Sequence, residues 1–232
     1  MLEVCNVNNH YGDLHVLKQV SITIKQGEIV ALFGPNGHGK STLLKTICGL
    51  HPATNGSILF NGQEISKAPS HKIVEMGIAY IPEERHLFGD MTVFENLNLG
   101  AYNTRAHRSL KQNLEFVLDT FPRLAERKDQ RCSTMSGGES RMVAVARRLM
   151  SEPSLLLVDE PSIGLSPSMR TAVFESLEKI NREKGITILI VEQEIRDALK
   201  LSSRIYMIKK GGILFERPAA NLDVSEIEKA YF

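Results

Sequence analysis

Cysteine is scarce and spaced without pattern: Cys5, Cys48 and Cys132 form no C-x-x-C, which fits reduced thiols in a cytoplasmic protein and argues against a disulfide framework. An excess of one charge is missing too. Lys and Arg number 28 against 27 Asp and Glu, so no global basic field points to nucleic acid or to an anionic membrane surface. Long apolar runs are absent. Stretches 155–158 and 186–191 fall far short of the roughly 18 residues that span a bilayer. Residues 1–5 lack a signal-peptide pattern, so the chain is expected to stay out of the bilayer. Repeats and low-complexity segments are also missing, and 232 residues suffice for one large domain or for a core with an inserted lobe.

What is present centres on one stretch. Residues 29–33 form an apolar run, Gly34-Pro35-Asn36-Gly37-His38-Gly39-Lys40-Ser41-Thr42 follows, and Leu43, Leu44, Ile47 and Leu50 recur behind it at helical spacing. Strand, glycine-rich loop and helix with the spacing G-x-x-x-x-G-K-S make a phosphate-binding loop in its required context. Backbone N–H groups at a helix start, aided by the helix dipole, cradle phosphate oxygens. Glycine at 34, 37 and 39 permits close approach or positive φ. Lys40 is placed for the β- and γ-phosphates and Ser41 for Mg²⁺.

Leu155-Leu156-Leu157-Val158-Asp159-Glu160-Pro161 has the continuous apolar pattern of a buried parallel strand and ends in two carboxylates. Asp159 at its tip is placed to hold Mg²⁺ beside the phosphate loop. Glu160, one residue out, is placed to polarise a water against the γ-phosphate, because phosphoryl transfer needs an oriented nucleophile and charge stabilisation. A second such strand, 186–191, ends in Glu192-Gln193-Glu194. Three features stay open on residues alone. Tyr11 either stacks on a purine or caps a sheet. Glu83-Glu84-Arg85, behind the strand Ile78-Ala79-Tyr80-Ile81, is either a ligand-facing loop or a solvated charge cluster. Ser136-Gly137-Gly138-Glu139 is either an anion site at a helix start or an ordinary N-cap.

Alternation over 2–7 and at Val20, Ile22 and Ile24 predicts two strands paired antiparallel, with Tyr11-Gly12 in the loop between them. Residues 57–60 with Asn61-Gly62 predict a hairpin strand and its turn, and 205–208 with 213–215 a closing hairpin. Ser109 is expected as an N-cap, with Leu110, Leu114, Val117, Leu118 and Phe121 at helical spacing up to Pro122. Met142, Val145, Ala146 and Leu149 are expected inward on the helix after Ser136. Val173, Leu177 and Ile180 mark a helix ending near Gly185, and Val224, Ile227 and Tyr231 a short terminal one.

The loop 34–42, the Ser136-Gly137-Gly138 start and the strand 155–160 resemble the Walker A, signature and Walker B motifs of ATP-binding cassette (ABC) ATPases, in the family's order and over nearly the whole chain. Ile81-Pro82-Glu83, Phe121-Pro122-Arg123-Leu124, residues 135–139 and 160–167, Val191-Glu192-Gln193, Ala198-Leu199-Lys200-Leu201 and Lys229-Ala230-Tyr231 resemble one subgroup, the ATP-binding subunits of branched-chain amino acid importers. Departures from the general pattern are Glu83 for Gln, Ser166 for Asp and Gln193 for His. Glu139 also replaces the common Gln, and His38 a small residue.

The resemblance implies an α/β phosphate-loop NTPase, a single ABC ATPase domain over 1–232. Its RecA-like core of mainly parallel sheet comprises 1–91 and 154–232 with an antiparallel β subdomain, and 92–153 form a helical signature subdomain. It implies ATP hydrolysis that energises import of branched-chain amino acids or a related small solute. Tyr11, the loop 34–42, Ser136, Gly137, Gly138 and Glu139 would bind nucleotide. Ser41, Asp159 and Glu83 would surround Mg²⁺, and Lys40, Glu160 and Gln193 would be catalytic. The implied partners are a second ABC ATPase subunit, identical or different and paired head to tail, membrane permeases and, indirectly, a solute-binding protein. Nucleic acid is not implied, and the chain would sit peripherally on the inner face of the cell membrane. The alternative is a non-transport ABC ATPase acting on nucleic acid or ribosomes. Such proteins usually carry a second cassette or long coiled-coil insertions, which this chain lacks. A phosphate-loop kinase would leave Ser136-Gly137-Gly138 and Gln193 without a purpose.

Overall fold

The structure, a computed structural model, describes residues 1–222 together with Val224 and Ile227. The chain opens with β1 (Leu2–Tyr11), β2 (Leu14–Ile24) and β3 (Ile29–Phe33), then α1 (Lys40–Ile47), β4 (Asn55–Phe60), β5 (Gln63–Glu64), α2 (Ser70–Glu75) and β6 (Ile78–Ile81). Helices follow: α3 (Val93–Gly100), α4 (Thr104–Arg108), α5 (Leu110–Thr120), α6 (Pro122–Glu126) and α7 (Gly137–Leu149). Strand and helix then alternate through β7 (Leu155–Asp159), α8 (Pro167–Lys184), β8 (Thr187–Val191) and α9 (Ile195–Leu201) to the hairpin of β9 (Arg204–Lys209) and β10 (Gly212–Pro218). This is the expected α/β fold.

A six-stranded sheet of order β10-β9-β3-β8-β7-β6 forms the middle layer, and a four-stranded antiparallel sheet of order β2-β1-β4-β5 lies beside it. From β9 to β6 the neighbours run parallel. Every residue of β3, β7 and β8 is buried, as strands covered on both faces must be. Strand pleating divides them: Ile29, Ala31 and Phe33 join a core with Val143, Val173 and Leu177 of α7 and α8. Val30 and Leu32 join the other core with Leu43, Leu44 and Val4 of α1 and β1. Register aligns the strand tips, with Leu32 beside Val191, Val191 beside Asp159, and Val158 beside Ile81. The loops that follow therefore emerge at one edge, where open α/β sheets bind ligands.

Local signals mostly match. Asn61 and Gly62 both take positive φ, 51° and 79°, the backbone of a tight hairpin turn. Gly185 ends α8 at φ 64°. Val224 and Ile227 are helical, while Tyr231 and the Lys229-Ala230-Tyr231 ending lie outside the described residues. Two expectations are corrected. Tyr11 is the last residue of β1 rather than a loop residue, because the strand runs past Val7 through a register shift. Its polar stretch is tolerated because buried Asn9 donates to the His51 and Pro52 carbonyls and to Thr46 Oγ1. Ser109 occupies the N-cap position of α5 but makes no side-chain cap hydrogen bond. Among the described residues, no helix is long and apolar enough to cross a membrane.

Candidate functional site

Where β3 leaves the sheet, space dictates glycine. A Cβ on Gly34 would collide with the Ile208 carbonyl oxygen of β9, and one on Gly39 would lie 2.8 Å from Leu17 Cδ2 with φ at 102°. The loop thus lies flat against β9 and β2, and α1 starts at Lys40 with no side chain capping its first N–H groups. Lys40 is buried, 4% exposed. Its Nζ donates to the Gly34 carbonyl (2.8 Å), the Pro35 carbonyl (3.3 Å) and Asn36 Oδ1 (3.5 Å), and lies 3.5 Å from Glu160 Oε1. Burial pulls its pKa down, partly offset by Glu160.

Ser41 Oγ donates to Asp159 Oδ1 at 3.0 Å, and the Tyr80 hydroxyl donates to Asp159 Oδ2 at 2.8 Å. Burial raises the Asp159 pKa in spite of these two donors. Glu160, 7% exposed, sits at φ 43°, a left-handed conformation that costs a non-glycine residue about 1–3 kcal/mol and persists where the surroundings enforce it. Gln193 Nε2 donates to Glu160 Oε2 at 2.5 Å. One carboxylate therefore lies between the Lys40 ammonium and the Gln193 amide.

These groups line a cleft of about 300 Å³ bounded by Asn36, Gly37, Gly39, Lys40, Ser41, Thr42, Glu83, Glu160, Ile163 and Gln193. Glu83 also faces an adjoining cleft that Ser41 and Asp159 share. Bare amides, a buried ammonium and a hydroxyl–carboxylate pair have the chemistry that suits a polyphosphate and a hard cation. Residues 17–163 match the ABC transporter family.

The chain belongs to the ABC transporter family. As an ABC cassette it binds and hydrolyses ATP. It is 45% identical over 232 residues, covering 100% of this chain and 99% of the relative, to the high-affinity branched-chain amino acid transport ATP-binding protein BraG of Pseudomonas aeruginosa. It is 38% identical over 222 residues, 96% of this chain and 94% of the relative, to a probable branched-chain amino acid transport ATP-binding protein, LivF, of Archaeoglobus fulgidus. Among solved structures it resembles a dimeric ATP-binding cassette in a post-hydrolysis state with ADP and Pi. There the TM-score is 0.81 and identity 26%, covering 96% of this chain and 100% of that one.

Other expected site residues of the cassette lie outside the cleft. Tyr11 is 44% exposed, its ring edge-on to His51 with centroids 3.9 Å apart. His38 turns from the loop to accept from the Lys210 N–H at 3.3 Å. Ser136 caps α7 reciprocally with Glu139: its Oγ accepts from Glu139 N (3.3 Å), while its N and Oγ donate to Glu139 Oε2 (3.0 and 2.8 Å). Arg127 Nε lies 3.1 Å from Glu139. A Cβ on Gly137 would stand 3.1 Å from Arg85 Nη2, and one on Gly138 would strike Met169.

Two residues of the cassette's site, Tyr80 and Arg141, escaped the sequence reading, and a third, Glu192, was placed only at the strand tip. Tyr80 holds Asp159. Glu192 bends back so that its carboxylate accepts from the N–H of Ser162 (3.0 Å), Gln193 (2.9 Å) and Glu194 (3.2 Å), and burial raises its pKa. Arg141 donates to carbonyls of the loops after β6 and β7. The sequence shows its place, a charged position on the inward stripe of Met142, Val145 and Leu149, but not its partners.

Proposed function

We propose that this cassette energises an importer of branched-chain amino acids or a related small solute, hydrolysing Mg²⁺-ATP as one half of a head-to-tail dimer. The observation that carries the solute class is the end-to-end likeness to BraG, which does not favour the alternative of an ATPase acting on nucleic acid or ribosomes. In this reading 92–153 form the helical signature subdomain on a core of 1–91 and 154–232. The second cassette is identical or different, a solute-binding protein completes the transporter, and the chain sits on the inner face of the cell membrane.

Residue roles follow from chemistry. Phosphate oxygens take the place of the loop carbonyls on Lys40, and the uncapped amides of α1 receive the rest of the polyphosphate. Among the described residues no three His, Cys, Asp or Glu cluster as a metal cage. Ser41 and Asp159, with Glu83 facing them, offer a few hard oxygens, and these fit Mg²⁺, which keeps waters and substrate oxygens as its other ligands. Held by these oxygens, Mg²⁺ would supply charge neutralisation for the polyphosphate. Glu160 orients the attacking water. Gln193 holds that carboxylate in place and donates to the γ-phosphate when the site closes. Tyr11 stacks on adenine, and Ser136, Gly137, Gly138 and Glu139 face the partner's nucleotide. The permeases dock in a second cleft of about 300 Å³ beside the Glu83 loop, where Phe88, Leu99 and Tyr102 stand exposed.

Vesicles reconstituted with the cassette, its permeases and its binding protein test this. Leucine, isoleucine and valine uptake is expected to require internal ATP and to vanish in Lys40→Ala, with loss of ATP binding in calorimetry. ATP hydrolysis stimulated by some other solute class, with no uptake of these three, would overturn the proposed solute.

A further inference from the structure

The arginine at position 141 lies on the face of α7 that enters the core, 1% exposed, where an ionised side chain needs hydrogen-bond partners to offset its burial. Its acceptors are all backbone carbonyls. Nη1 donates to Pro82 O at 2.8 Å, and Nη2 donates to Glu83 O at 2.6 Å and to Glu160 O at 3.5 Å. Nε has no partner, and among the described residues Arg141 forms no direct ion pair. A volume-matched apolar residue would fill the same space without the desolvation cost of the charge. What the guanidinium adds is a rigid fork of donors aimed at two loops.

Both loops carry site residues. The first fixes Glu83, which lines the nucleotide cleft. The second holds Glu160, whose left-handed φ of 43° aims the carboxylate at Lys40 and Gln193. A strained residue keeps such a backbone only while its neighbours enforce it. The Val191 carbonyl holds the Glu160 N–H at 2.9 Å, and Arg141 holds its carbonyl from the other side. Arg141 also follows Ser136, Gly137 and Gly138 closely on one continuous helix.

We infer that Arg141 is a positioning residue that ties the start of α7 to the Glu83 and Glu160 backbones, so that one chain's two half-sites move as a unit. The coupling rests on the head-to-tail reading; the grip on the two loops does not. Neither Arg141 nor α7 need touch the ATP bound to its own chain for this to operate. A shift of α7 against the partner's nucleotide reaches the Glu83 loop through two hydrogen bonds and the Glu160 backbone through one.

The test compares Arg141→Met, which keeps an apolar stem and removes the donors, with Arg141→Lys, which keeps charge and one set of donors. Calorimetric ATP affinity, kcat, KM, Tm and hydrogen exchange of 82–85 and 160–162 are measured on the full chain. Arg141→Met is expected to bind ATP within about twofold of the parent and to keep its KM. Its kcat should fall roughly 10–100-fold, the range for groups that orient a reacting residue from behind, with faster exchange in both loops. Arg141→Lys should recover part of kcat and of the protection. Unchanged kcat and exchange in Arg141→Met would overturn the inference. So would a kcat loss matched by lost ATP affinity and lowered Tm with no rescue by Lys, the mark of a packing role. Glu160→Gln run alongside separates the readings: absence of an ATP-dependent dimer there counts against head-to-tail pairing, while loop exchange still reports on Arg141.

Discussion

Gln193 and Glu192 are adjacent in sequence, yet their side chains do different work. Gln193 reaches the Glu160 carboxylate, whereas Glu192 is spent on three backbone amides. Glu194 instead pairs with Arg170 at 2.9 Å. Gln193→Ala is therefore expected to lower kcat about 10²-fold, the scale of losing one preorganised donor, with Tm unchanged. Glu192→Ala leaves the buried Ser162 N–H without its acceptor and is expected to lower stability by about 1–3 kcal/mol. Steady-state kinetics and thermal melts of both variants check this; a normal kcat in Gln193→Ala would remove it from the site. Motif residues close in sequence were legible because their spacing itself encodes the geometry, as Gly34, Gly39, Lys40 and Ser41 illustrate. Tyr80 and Arg141 were not, because their partners, Asp159 and the Pro82, Glu83 and Glu160 carbonyls, are distant in sequence and become neighbours only through strand order and helix packing.

The crossing of α3 and α7 depends on Gly100, where a Cβ would strike the Arg147 carbonyl oxygen and stand 2.9 Å from Met150 Cβ. Because the obstacle is backbone, Gly100→Ala is expected to destabilise by about 1–3 kcal/mol, read as a lower denaturation midpoint; an unchanged midpoint would mean the helices separate freely. The start of α7 offers a pH-dependent test. Hydrogen bonds from the Ser136 backbone and hydroxyl hold the Glu139 carboxyl below its ordinary pKa. Such a group adds stability above its unfolded pKa, about 4.3, and the gain is lost as pH falls through the depressed value. Glu139→Ala is expected to cost about 0.5–2 kcal/mol at pH 7, with the gap to the parent narrowing below about pH 4.3; a pH-independent gap would contradict the capping account. At this scale apolar runs announced β3, β7 and β8 clearly. The length of β1 stayed hidden because Asn9 looks like a loop residue until His51, Pro52 and Thr46 receive its amide.

The α/β class was readable from the alternation of strand and helix signals, but the placing of β3 between β8 and β9 was not. That order depends on which faces the helices cover, and no local pattern carries it. It brings the tips of β3, β6, β7 and β8 together, so that Ser41 meets Asp159 and Gln193 meets Glu160. It leaves Ser136, Gly137 and Gly138 outside the same chain's cleft, and Tyr11 at the end of a strand. A cassette built this way is expected to complete its nucleotide site with a second copy or a second cassette; the solved relative with ADP and Pi is itself dimeric. Light scattering of Glu160→Gln, alone and mixed with the transporter's other ATPase, is the most direct measurement. The expected result is a monomer without nucleotide and a dimer with Mg²⁺-ATP, because the bound γ-phosphate bridges two subunits while hydrolysis is blocked. A chain that binds ATP and remains monomeric both alone and in the mixture would contradict the account.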